Sequence, residues 1–258
     1  MDVNKVIDGD GFESLGDKIK TVKYIATDYL SAYLYGENPV ADYIVSHNSD
    51  GNIVTGPPSR KYDCEWIPEK VPKNLKVLYC QNCLVKDKRL QPIPIGLERV
   101  RWSSTKRPEI QKAMVCKKQS MCFVCHSVST NPKERKEPYE IFKEASWVTL
   151  MDGKNGVDFK RYITNMANHI FVISPDGNGS DTHRTWEALC VGTIPIVKNR
   201  VWAKCLAKIF PMVLVDSWKQ VTYQFLEREM VRLRPKMNYQ KYLGMKFWED
   251  LIKEEKRI

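Results

Sequence analysis

Residues 171–192 read Phe171-Val-Ile-Ser-Pro-Asp-Gly-Asn-Gly-Ser-Asp-Thr-His-Arg-Thr-Trp-Glu-Ala-Leu-Cys-Val-Gly192. The apolar run predicts a strand over 170–174. Pro175 to Ser180, with two glycines, predicts a loop, and 182–190 a helix that stops at Gly192. Strand, glycine-rich loop and helix in that order build an anion site. Gly177 and Gly179 allow close approach of backbone N–H groups, and the helix N-terminus adds partial positive charge.

The pattern continues on both sides. Strands are predicted at 121–127, 147–150, 194–197 and 212–215, and helices at 132–144, 158–168, 202–209, 221–233 and 239–256. Short apolar strands alternating with helices predict an α/β domain over 117–240, its parallel sheet covered on both faces, with 241–258 as a closing helix. The first half, 1–116, is less periodic. Strands are expected at 42–46, 75–80 and 92–95, and 99–118 reads as a connection between halves.

The chain has 258 residues, 43% hydrophobic and 28% charged, which is ordinary globular composition. No apolar run approaches the roughly 20 residues that span a bilayer, and no signal peptide is visible. A soluble, cytoplasmic protein without a membrane span is expected, unless such a segment lies outside this sequence. The net charge of +10 would attract nucleic acid, anionic lipid or a phosphorylated small molecule. Lys and Arg are spread along the chain rather than interleaved with aromatics, so nucleic acid is not expected. A non-enzymatic binder of nucleic acid or acidic glycan remains the alternative, with binding steeply salt-dependent.

Eight cysteines include the CxxC pairs Cys80/Cys83 and Cys122/Cys125. Both sit in apolar runs, where residues three apart on a strand point to opposite faces and cannot share a zinc ion. Buried free thiols are expected, and no metal site. Asp8-Gly9-Asp10 has the Asp-x-Asp form of a divalent-cation site, but precedes any clear strand and reads as a glycine-rich turn.

In the loop and first helical turn, Arg184 offers a planar guanidinium to a pyrophosphate, His183 lies beside it, and Glu187 could accept from a ribose diol. The alternative reading is a capped helix: Asp181 as N-cap, Arg184 and Glu187 as an i,i+3 pair, Trp186 in the core.

The run Pro175-x-Gly-x-Gly-x-Asp-x-His-Arg-x-Trp-Glu-Ala-Leu-x-x-Gly-x-Ile-Pro-Ile-Val197 resembles the exostosin-like glycosyltransferases and their relatives in large algal viruses and bacteria. Softer matches are Ser129-Thr-Asn-Pro132 with Arg135, Gln81-Asn82, Pro94-Ile-Gly-Leu-Glu98 followed by Trp102, and Ser46-His-Asn-Ser-Asp50. Together they cover about residues 40 to 220.

The resemblance implies a GT-B-like fold, with two Rossmann-like domains whose parallel sheets flank a cleft. It implies metal-independent transfer, with inversion, of a sugar from a nucleotide sugar to a glycan or glycoprotein acceptor. UDP-xylose is the favoured donor, and no cofactor is needed. By position, Gly177, Asn178, Gly179, Asp181, His183, Arg184, Glu187, Thr130 and Arg135 would hold the donor, and Asn82, Gly96 and Trp102 would face the acceptor. The viral relatives extend the expected location to an infected host cell.

Inverting transfer needs a base for the acceptor hydroxyl and neutralisation of the departing diphosphate. The base is expected from strand ends of the first half: Asp50, then Glu98, then His47. Each also has a plain reading as turn chemistry.

Overall fold

The computed structural model describes residues 1–37, 40–47, 51–153 and 156–258. Asp50, the first-named candidate base, lies outside the described residues, with Asn48 and Ser49.

Strands β1 (Val22–Ala26), β2 (Tyr43–His47), β3 (Ile53–Val54), β4 (Cys64–Glu65), β5 (Val77–Cys80) and β6 (Leu90–Pro92) come from the first half. The second half supplies β7 (Ser120–Val124), β8 (Val148–Leu150), β9 (His169–Ile173), β10 (Ile194–Lys198) and β11 (Val213–Val215). They form sheets ordered β1-β2-β5-β6 and β11-β10-β9-β7-β8, with β3-β4 as a small annex. Every pairing is parallel. The protein is therefore α/β.

Central strands β2 and β5 are buried along their whole length, while edge strands β1 and β8 are mostly half-exposed. That is the burial expected of parallel sheets covered on both faces. In the second sheet, β8 lies on one side of β7, and β9 to β11 on the other. The strand order thus reverses between β7 and β9, and the loops after these strands diverge to leave a crevice.

Several elements differ from the sequence reading. Asp8-Gly9-Asp10 is not a turn but the start of the helix Gly9–Lys18, with Asp8 as its N-cap accepting from Gly11 N at 2.7 Å. The other carboxylate oxygen of Asp8 pairs with buried Arg107. The helix was masked by its glycines: a Cβ on Gly16 would lie 2.8 Å from Tyr24 Cβ on β1, so the close helix–strand contact requires glycine. The stretch read as a connection, 99–118, folds into helices Val100–Ser103 and Lys106–Ala113. The third strand predicted for the first half falls earlier, at Leu90–Pro92: Ile93 N still donates to Cys80 O at 3.0 Å, but Pro94 has no N–H to extend the ladder.

The closing helix is broken at Gly244 into Gln240–Leu243 and Met245–Lys253. It returns to the first sheet: Ile7 N donates to Leu243 O at 2.8 Å, Phe12 meets Trp248 edge-on at 6.3 Å, and Tyr79 OH donates to Lys256 O at 3.1 Å. No helix among the described residues is long and apolar enough to cross a membrane.

All eight cysteines are free thiols. Cys80 and Cys83 do meet, contrary to the strand argument. Asn82 takes φ of 50° just past β5, which turns the chain so that the two thiols hydrogen-bond. Among the described residues, no three His, Cys, Asp or Glu side chains gather as a metal-binding group.

Candidate functional site

The loop after β9 and the helix His183–Cys190 are fixed by hydrogen bonds to the first half. Asp181 N donates to Asn82 Oδ1 at 2.8 Å, and the Asp181 carboxylate accepts from Ile95 N at 2.8 Å and Trp186 Nε1 at 2.9 Å. Ser180 N donates to Asn52 Oδ1 at 3.0 Å. His183 Nδ1–H donates to Gly96 O at 2.8 Å. Apart from the local Trp186–Asp181 bond, each of these joins a strand end or loop of one sheet to the glycine loop or helix start of the other.

Under this brace lies a cavity of about 300 Å³. Thr130, Arg135, Gly177, Asn178, Gly179, Asp181, His183, Arg184 and Glu187 line it, together with Ile95, Lys106, Phe159, Tyr162 and Thr182. All nine residues expected at a donor thus line one cavity, drawn from the segments after β7 and β9.

The two glycines are required by neighbours. A Cβ on Gly177 would lie 2.7 Å from Arg135 Nη2, and one on Gly179 2.5 Å from Asn82 Nδ2. The helix His183–Cys190 has no side-chain cap at Thr182, so its first turn meets the cavity uncovered.

Arg135, 7% exposed, is anchored by Nε to Asp176 O at 2.9 Å and by Nη1 to Ser127 O at 3.1 Å. Burial, then the neighbouring Arg184 guanidinium, lowers its pKa to about 10. Arg184 has Nε and Nη1 buried without any hydrogen-bond partner. Two guanidinium groups held together, one of them with buried donors unmet, are costly unless an anion joins them. Behind them His126 is buried and lowered to about 4, first by desolvation and then by Arg184. Its Nε2–H donates to Arg135 O at 2.9 Å, so it stands neutral as a prop.

Glu187 accepts from Tyr162 OH at 2.9 Å through Oε2. Burial and the adjacent carboxylate push the Tyr162 hydroxyl well above its ordinary value. Asp181 is 2% exposed, and burial raises its carboxyl to about 7 against the hydrogen bonds that favour its charge. It braces the loop as well as lining the cavity.

The remaining expected residues are placed differently. His47, 1% exposed, is stacked on Phe12 at 4.9 Å and bonded through Nε2 to Pro94 O at 3.1 Å. Burial lowers it to about 3, and its enclosure removes it from the candidate bases. Asn82 is fully buried, a strut rather than an acceptor-facing side chain. Gly96 serves through its backbone: with φ of 71°, a Cβ would meet Ile7 O at 2.3 Å, and its carbonyl holds His183. Glu98 pairs with Lys106 at 2.5 Å at the cavity edge. Trp102 is 65% exposed and lines no described cavity.

Lys106 and Tyr162 belong to the wall yet carry no motif. Phe159 also lines it, at the start of a helix whose Ile163 and Met166 are buried. The chain matches no protein-family model and no curated protein.

Proposed function

We propose that this chain is an inverting glycosyltransferase that uses a nucleotide-sugar donor, in the manner of the exostosin-like enzymes its motifs resemble. The two parallel sheets with the cavity between them support a GT-B-like arrangement of two Rossmann-like halves. One observation carries the reading: the Arg184 guanidinium lies beside Arg135 at an uncapped helix start, with buried N–H groups that lack an acceptor. A diphosphate would satisfy both side chains. Lys106, paired with Glu98, also lines the cavity.

In this reading the diphosphate sits against Gly177, Asn178 and Gly179, between Arg135 and Arg184. Glu187, oriented by Tyr162, accepts from the ribose. The acceptor hydroxyl attacks the anomeric carbon. The bond to the diphosphate breaks, its electron pair leaves with the phosphate oxygen, and the cations stabilise that charge without a metal.

The acceptor proton needs a base. His183 was expected on the diphosphate, but its tautomer supports the other role. Nδ1–H donates to Gly96 O, so the proton-accepting role on this cavity-lining ring falls to Nε2. A wall that holds both the anion-binding groups and a base supports catalysis over passive binding.

The test is thermal denaturation with UDP, UDP-xylose and other UDP-, GDP- and CMP-sugars, followed by a transfer assay with glycan acceptors. A true donor at 100 times its Kd stabilises the fold by about 2.7 kcal/mol. No stabilisation by any nucleotide or nucleotide sugar would overturn the proposal.

A further inference from the structure

A second cavity, about 290 Å³, lies across the glycine loop from the first. Residues 177–179 line both, so the loop is a wall between them. The volume stands at the small end of ligand cavities, which run from about 300 to 1,000 Å³, and fits one sugar ring.

Its lining is polar and charged. Arg200 bridges Asp176 at 2.9 Å and Glu134 at 3.3 Å, so all three are ion-paired within the cavity with one carboxylate charge left over. Arg60 and Lys133 are not: among the described residues neither meets a carboxylate, and Arg60 reaches only Gly177 O at 3.5 Å. The cavity therefore holds an uncompensated positive charge beside fixed carboxylates able to accept from hydroxyls. Ser180, 6% exposed, belongs to the same lining, and its buried Oγ has no hydrogen-bond partner. A buried hydroxyl without a protein partner has a hydrogen bond that a ligand hydroxyl can complete.

We infer that this cavity binds an anionic sugar unit, its carboxylate or phosphate against Arg60 and Lys133 and a ring hydroxyl at Ser180. Cations alone would fit any anion. The carboxylates of Asp176 and Glu134 next to them select a ligand that also brings hydroxyl donors. Arg60 comes from the segment between β3 and β4, whereas Lys133 and Ser180 come from the second half, so the site exists only when the two halves are together. Exposed Asn178 lies on the rim common to both cavities. An occupant here lies across the glycine loop from a donor, the position of an acceptor unit remote from the attacking hydroxyl. That role rests on the transferase reading; the binding does not.

Titration calorimetry tests it with three probes, glucuronate, glucose 6-phosphate and glucose, each added to the UDP-saturated protein. One or both acids should bind at least 10-fold tighter than glucose, and the tighter acid identifies the anionic group. R60A/K133A should lose at least 10-fold for the acid and leave UDP affinity unchanged. S180A, a mild change that keeps the fold, should weaken the acid by about 3-fold or more, as loss of one hydrogen bond predicts. Equal binding of glucose, no binding of either acid, or loss through R184A in place of R60A/K133A would each overturn the inference. If UDP fails to bind while the acid still binds through Arg60 and Lys133, the transferase reading falls and the site stands.

Discussion

The carboxylate of Asp181 accepts the backbone N–H of Ile95 at 2.8 Å, joining residues 86 positions apart. The Asp181 amide donates at the same time to Asn82 Oδ1. One short side chain thus fixes the glycine loop against the end of the first sheet, beside the cavity that Arg135 and Arg184 line.

The brace carries a pH signature. Burial raises the Asp181 carboxyl to about 7, against about 3.9 for an unfolded aspartate. Between those values the folded chain keeps a proton that the unfolded chain has released, so this residue's contribution to stability falls as pH rises through the window. Denaturant unfolding of wild type and D181N should show wild type relatively more stable at pH 5 than at pH 8, by on the order of 3 kcal/mol. A pH-independent difference would show that the carboxyl titrates normally.

Arg184→Ala separates binding from folding. Removing a guanidinium with unmet buried donors beside a like charge should leave the apo Tm unchanged or higher. UDP affinity should fall by about 10- to 150-fold, the equivalent of losing about 1.5–3 kcal/mol of charge-assisted hydrogen bonding. A lower Tm with unchanged affinity would make Arg184 structural.

The two histidines should behave differently in a transfer assay. H183Q is expected to lower turnover by roughly 10²- to 10⁴-fold with donor affinity within a few-fold of wild type, the size of a lost general base. H47Q, at an enclosed position where burial holds the imidazole near 3, should turn over normally. A full rate in H183Q would return attention to Glu98 and Asp50.

Gly179→Ala should be destabilising, since its Cβ would lie 2.5 Å from Asn82 Nδ2 on a side chain that is buried and engaged. Overpacking of this kind costs about 1–3 kcal/mol. Because the clash is with one side chain, the N82A/G179A pair should lose less stability than the two single losses summed. Strict additivity in denaturant titrations would place the strain elsewhere.

Local patterns determined a good deal of this protein. The strand, loop and helix of residues 171–192 were legible because each depends on near neighbours: an apolar run, two glycines, and a helix stopped by Gly192, which adopts φ of 71°. The alternation that follows requires a parallel sheet, and the shared lining by Gly177, Arg184 and Glu187 was readable from residue type and position, with Arg135 added by the motif resemblance. Tertiary structure alone decided the rest. Whether a histidine at a strand end is open or enclosed depends on what packs over it; Phe12 covers His47, while Gly96 leaves Nε2 of His183 free. Asn82 looks like a surface amide until Gly179 and Asp181 are set against it from 97 and 99 positions away. The second cavity brings Arg60, Lys133 and Ser180 together from three segments with no common motif. Periodicity reports which way a side chain faces within its own element; only the packing of elements determines what it meets there.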